Sequence, residues 1–160
     1  MTLRIGHGVD AHRLVAGRPL MLGCVEIAHE RGLAGHSDGD VVVHALCDAL
    51  LGGAGQGDMG RHFPSSDERW RDTAGTDFLR AVADTLSDHD ARLLSAHVVV
   101  IAEAPRIAPH LAAMTAACAA ALGIDGPLLH VSATSTDGLG FSGRGEGIAA
   151  SAVVLLDVGG

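Results

Sequence analysis

The segment GHSDGDVVVHALCDALLG, Gly35 to Gly52, limits the possible folds more than any other stretch of the chain. Val41, Val42, Val43, Ala45, Leu46, Ala49, Leu50 and Leu51 make a helix apolar almost all round, so it belongs in the interior. Yet Asp40, His44 and Asp48 recur every four residues and share one side, drifting about 40° per step. Polar groups at core depth need partners. Any fold of this chain must bury the helix and still give that stripe something to bind.

A partner is offered near the start. The stretch LRIGHGVDAHRL reads as a strand, and alternate residues of a strand point the same way, so Asp10 and His12 share a face. Taken alone, Asp-x-His fits a solvated strand end, and one His on a helix fits a hydrogen-bonded core residue. Together, Asp10, His12 and His44 form a three-ligand set with an open fourth position, which suits a working Zn²⁺. Asp40 and Asp48 are then expected to support the site as acceptors that orient the imidazoles.

The rest of the chain reads as strands interleaved with helices. RPLMLGCVEIAHE predicts a short hairpin turning at Gly23 and Cys24, and Asp38 or Asp40 can cap the buried helix. MGRHFPSSDERWRDTAG reads as a long irregular loop of the kind that carries function. TDFLRAVADTLSDHD predicts an amphipathic helix capped by Thr76 or Asp77, with Phe78, Leu79, Val82 and Leu86 on one face. A strand follows over ARLLSAHVVVIAEAP, stopped by Pro105. An Ala-rich helix closes at Gly123, LLHVSATST is a strand, and IAASAVVLLDVGG is a buried final strand. At 160 residues, without repeat or linker, this is one α+β domain over 1–160, with helices on one sheet face. The other face, apolar and poor in charge, points to oligomer packing.

Charge and cysteines narrow the function. All eleven basic residues are Arg, and the net charge of −8 argues against nucleic acid or an anionic membrane as partner. A metal or a few Arg can still hold a phosphorylated ligand. Cys24, Cys47 and Cys118 form no C-x-x-C pair and sit among apolar residues, as small hydrophobes in a reducing, cytoplasmic setting. No signal segment opens the chain, and no apolar run reaches the ~20 residues of a membrane span.

Two further clusters are polar. In GHSDGD, glycines free the backbone, and His36 and Ser37 sit near a helix start, where an anion is favoured; an ordinary capping loop fits as well. In ATSTDGLGFSGRGEG, Thr134, Ser135 and Thr136 offer hydroxyls at a strand end, and Asp137 is a possible hard-metal ligand. Hydroxyls, backbone amides and a carboxylate-held Mg²⁺ are what a diphosphate needs.

The blocks RIGHGVDAHRL, LAGHSDGDVVVHALCDALLGGAGQGDMGRHFP, EAPRIAPHL and TSTDGLGFSGRGEGIAASAVVLL span nearly the whole chain. In order and spacing they resemble the 2-C-methyl-D-erythritol 2,4-cyclodiphosphate synthases. The resemblance implies a homotrimer with active sites between subunits. It also implies a mixed four-stranded sheet per subunit, packed face-inward, with helices on the other face and a small N-terminal hairpin. It puts Zn²⁺ on Asp10, His12 and His44, and a second divalent metal, Mg²⁺ or Mn²⁺, on Asp137. His36 and Ser135 match positions that stabilise the transition state. His36, Ser37, Asp58, Met59, Gly60, Phe63, Pro64, Ser65, Ser66 and Asp67, beside Asp10 and His12, match the erythritol-phosphate end. Ala102, Pro105, Arg106, Ile107, Ala108, Thr134, Ser135, Thr136 and Asp137 match the cytidine side. Phe141, Arg144 and Glu146 match the central cavity, where an isoprenoid diphosphate can sit.

The chain departs from the family pattern at a few positions. Asp137 and Gly138 replace Glu and Lys, Ser65 stands where some members have Asp, and Arg106 replaces Lys with a different geometry. The implied reaction converts 4-diphosphocytidyl-2-C-methyl-D-erythritol 2-phosphate to the cyclic diphosphate and CMP. The residues leave two rivals: a zinc-dependent phosphohydrolase, and a non-catalytic trimer that binds isoprenoid diphosphates.

Overall fold

The computed structural model describes residues 1–159; Gly160, the end of the expected final strand, lies outside them. Strand β1 (Leu3–Ala16) leads into the hairpin β2 (Leu20–Leu22) and β3 (Val25–Ile27), then β4 (Arg31–Leu33) and helix α1 (Val41–Gly53). A short helix α2 (Met59–His62) and a single 3₁₀ turn (Glu68–Trp70) break up the segment expected to be an irregular loop. Helix α3 (Gly75–Asp88), strand β5 (Ala91–Ile101), helix α4 (Leu111–Leu122) and strand β6 (Leu129–Thr134) follow. A one-turn helix α5 (Gly140–Gly143) sits in the glycine-dense loop, and β7 (Gly147–Val158) closes the chain.

The main sheet has five strands in the order β4-β1-β7-β5-β6, with β2-β3 as a separate pair. The expected count of four omitted β4, a three-residue edge strand paired with the end of β1 through Leu14–Leu33, Val15–Gly32 and Ala16–Arg31. β5 and β6 run parallel, joined across α4; the other neighbours are antiparallel. The hairpin turns at Gly23 and Cys24, both at positive φ, as the sequence predicts. The predicted cap of α3 is not used: that helix starts at Gly75 behind Ala74, with no side-chain cap. Cys47 and Cys118 are buried, whereas Cys24 is only partly so.

How α1 sits on the sheet determines the site. Along β1 the even-numbered residues face the helix, and Gly6 and Gly8 are buried there. A Cβ on Gly6 would fall 1.8 Å from the Ala49 carbonyl oxygen, and one on Gly8 2.1 Å from that of Ala45. Helix and strand therefore meet backbone to backbone, which only glycine permits. The same face continues to Asp10 and His12, beside His44. Meanwhile α1 is buried at every position except His44, Asp48 and Gly52, one stripe at i, i+4, i+8. The opposite sheet face is uncovered and mixed: Ile5, Val9 and Val153, at 73%, 59% and 47% exposed, stand beside the polar pairs His7–Ser151 and His97–Ser132, so the wholly apolar face expected from the sequence is not found. No helix among the described residues is long and apolar enough to cross a membrane.

Candidate active site

Asp10 Oδ2, His12 Nε2 and His44 Nδ1 converge. The carboxylate oxygen lies 2.8 Å from His12 Nε2 and 3.0 Å from His44 Nδ1, and the two nitrogens are 3.2 Å apart. Such a triangle suits three donors of one cation at metal–ligand distances of about 2.0–2.2 Å. The outer ring nitrogens already have partners. His12 Nδ1 meets the Ala34 carbonyl, which can only accept. His44 Nε2 lies 3.0 Å from Ser37 Oγ. With those nitrogens donating, both inward nitrogens keep a free lone pair, as a metal ligand requires. Among the described residues this is the one group of three or more His, Cys, Asp or Glu close enough to share an ion. When the rings are instead protonated on those inward nitrogens, burial opposes charge on Asp10, but hydrogen bonds and charge from His12 and His44 outweigh it and hold the carboxyl well below the usual range. The Asp10 hydrogen bond raises His12 against its burial.

The other two acids of the stripe do not orient the imidazoles, contrary to the sequence expectation. Asp40 is fully buried and caps α1: its Oδ1 accepts from Val42 and Val43 N–H and from Gly23 N–H, and its Oδ2 from Cys24 N–H at 2.7 Å. It ties the hairpin turn to the helix start. Asp48 accepts from Met59 N–H at 2.8 Å and so fixes the start of α2. Burial first, and then the negative Asp58 and Asp10, push its carboxyl above the ordinary range. The imidazoles are held instead by a main-chain carbonyl and a serine.

A cavity of about 420 Å³ opens over the triad. Of the residues that the resemblance assigns to the erythritol-phosphate end, His36, Ser37, Met59, Gly60, Phe63 and Ser65 line it, together with Asp48, Trp70 and Phe78, which were not among them. The chain has one Trp, three Phe and no Tyr. All but Phe141 form one wall here, with ring centroids 4.9 Å apart for Phe63–Trp70 and 5.0 Å for Phe63–Phe78. The scarcity of aromatics was the available signal. Phe78, a core residue by its place on the apolar face of α3, is 3% exposed and serves as core and wall alike. His36 presents a buried Nε2 that has no protein partner.

Asp58 is exposed and caps α2 through Arg61 N–H, and Asp67 pairs with Arg69. Neither lines the cavity, nor do Pro64 and Ser66.

The cytidine-side residues form a second, separate cavity. Ala102, Pro105, Arg106, Ile107, Ala108, Thr134 and Ser135 line about 280 Å³ at the ends of β5 and β6. Ser135 and His36 thus open into different cavities of one chain. Thr136 Oγ donates to the Leu139 carbonyl, and Asp137, at positive φ, accepts from Ser135 Oγ at 3.3 Å. Phe141 and Glu146 line a third hollow with His12, and Arg144 pairs with Glu146 at 2.8 Å.

Comparison with known proteins agrees over the full length. The model of the YgbB family matches residues 3–157. The chain is 51% identical over 157 residues to a protein named 2-C-methyl-D-erythritol 2,4-cyclodiphosphate synthase from Thiobacillus denitrificans, covering 98% of both. A solved structure of a synthase of that name, in a CDP-bound form, superposes with a TM-score of 0.87 at 38% identity, covering 96% of this chain and all of that one. The bifunctional IspDF of Campylobacter jejuni gives a TM-score of 0.94 at 35% identity over 99% of this chain, which spans 43% of that longer one.

Proposed function

The chain belongs to the YgbB family of 2-C-methyl-D-erythritol 2,4-cyclodiphosphate synthases, and from that premise we propose how its own residues carry the family reaction. The activity is that of a phosphorus–oxygen lyase of non-mevalonate isoprenoid synthesis. The 2-phosphate of 4-diphosphocytidyl-2-C-methyl-D-erythritol 2-phosphate attacks the β-phosphorus of the same molecule. The ring closes as the bond to the cytidylyl oxygen breaks, and CMP leaves with that oxygen's charge.

The observation that carries the metal reading is the triad itself: three inward donor atoms, with the outer imidazole nitrogens already bonded. Asp10, His12 and His44 would hold a divalent cation, Zn²⁺ by the chemistry of this donor set. When bound, that cation neutralises diphosphate oxygens and so lowers the cost of bringing two anions together. The residues supply the rest. The nucleophile is already anionic, so no strong base is needed. The walls formed by Phe63, Trp70 and Phe78 exclude water and hold the polyol folded, so that attack is intramolecular. His36 and Ser135 donate hydrogen bonds as charge moves onto the leaving phosphate. Asp137 would hold the second cation, Mg²⁺ or Mn²⁺, with one methylene less reach than a Glu.

His36 and Ser135 lie in separate cavities of one chain, so both reach one substrate only if a second copy supplies one of them. The uncovered sheet face offers the packing surface, and we read the working form as a homotrimer with shared sites. The hollow by Phe141, with Arg144 near its rim, would then open onto the central axis, a fitting place for an isoprenoid diphosphate. The expected setting is the cytoplasm. The test is mass spectrometry of the products from purified protein, with and without chelator. Cyclic diphosphate and CMP in equal amounts, lost on metal removal and regained on adding Zn²⁺ and Mg²⁺, is the expected result. Activity indifferent to chelation would overturn the metal reading.

A further inference from the structure

We propose that Arg18 is a positioning residue for this reaction, acting through the backbone of the turn that carries His36; the proposal rests on the role given to His36 above. Arg18 Nη1 donates to the Gly35 carbonyl at 2.9 Å, and Nη2 to the Ser37 carbonyl at 2.6 Å. One guanidinium therefore grips the main chain on both sides of His36. A planar fork bonded to two carbonyls fixes their separation and direction, and so restrains the backbone angles of His36 and Ser37 between them.

Three observations make that grip matter. First, His36 Nε2 is buried without a protein partner, so no hydrogen bond at that atom holds the imidazole in place. Second, the turn is built to bend: Gly35 and Gly39 flank it, and Gly39 has φ +77°. Third, Arg18 is itself well mounted. A Cβ on Gly32 of β4 would lie 2.5 Å from the Arg18 carbonyl oxygen and 2.2 Å from that of Pro19, so the 17–19 turn lies flat on the strand that runs into the His36 turn. The far side is held by Asp72 N–H to the His36 carbonyl at 2.9 Å and Asp38 N–H to the Thr73 carbonyl at 3.2 Å. The turn is thus clamped from two sides, and the Arg18 side is the charged one. Arg18 does not line the cavity over the triad, so it reaches the substrate only through what it holds.

The test is a double-variant cycle of Arg18→Ala and His36→Ala, with Arg18→Lys alongside, reading kcat, KM, bound metal and thermal midpoint. Arg18→Ala should lower kcat by about tenfold to a hundredfold, the scale of a misplaced donor, with KM near wild type and any loss of bound metal smaller than the loss in kcat, since the same fork also holds Ser37, the partner of His44. Arg18→Lys, which keeps charge and stem but not the fork, should recover only part of the loss. Free guanidinium ion, but not sodium chloride at equal concentration, should speed Arg18→Ala severalfold. The double variant should be no slower than His36→Ala within about twofold, because both changes remove one function. Wild-type kcat in Arg18→Ala or Arg18→Lys beside a slow His36→Ala overturns the proposal alone, and so do independent, multiplying losses. Full activity in His36→Ala overturns the reading of His36 and this proposal with it. If Arg18→Ala does not fold, Arg18→Lys alone decides: wild-type kcat there is fatal.

Discussion

The two halves of the site as we propose it are made in different ways. The metal half is internal. Asp10 and His12 ride on a strand whose glycines touch α1, and His44 opens off a helix buried everywhere but its 44-48-52 stripe. The half around Ser135 and Asp137 is external: it hangs on the end of β6 and the glycine-dense loop, exposed and bonded mainly to itself. One half is finished when the chain folds. The other stays open on the surface of the folded chain.

Changes that break the internal half should cost most. His44→Ala removes one of the three proposed ligands; we expect stoichiometric metal to be lost and cyclic product to fall at least about a thousandfold, with the fold intact. Metal analysis and product assay on the same sample check this. Gly8→Val tests the contact beneath it. The new Cβ would meet the Ala45 carbonyl at 2.1 Å, so stability should drop by about 3 kcal/mol or more in denaturant melts. A wild-type midpoint would show that α1 and β1 can part at no cost.

The external half should answer with smaller effects and no loss of fold. Ser135→Ala should slow CMP release by about tenfold to a hundredfold while metal content and melting stay unchanged. Loss of bound zinc in that variant would erase the distinction between the halves. Asp137→Asn should do least, raising the Mg²⁺ needed for half-maximal rate a few-fold in a titration. An unchanged Mg²⁺ dependence would remove Asp137 from the second metal.

What the sequence reveals follows the same division. The triad is legible because two rules suffice: residues two apart share a strand face, and residues four apart share a helix face. The capping of α1 by Asp40 is legible, as an acid just before an apolar helix, but its hold on the hairpin turn and the role of Asp48 are not. Their partners are main-chain N–H groups of Gly23, Cys24 and Met59, and an amide has no residue type by which to find it. Arg18 is hidden for the same reason, since both its acceptors are carbonyls. β4 is too short, and too dependent on Gly32 meeting the 18–19 turn, to show a strand period. Trp70 sits in a segment of charge and turn residues with no period, and only the fold brings it to Phe63 and Phe78.

The glycine contact between β1 and α1 also acts as a datum surface, in the machinist's sense. Where two backbones touch, their spacing is set by peptide atoms and not by the volume of any side chain. Leu50 or Leu79 can change size by a methylene, and the adjustment has to be taken up on the α3 side of the core, because the β1 side cannot give. The spacing from Asp10 and His12 to His44 is thereby insulated from drift in the hydrophobic interior. A lineage carrying this fold can revise its core composition freely and keep one metal geometry, so long as Gly6 and Gly8 stay glycine.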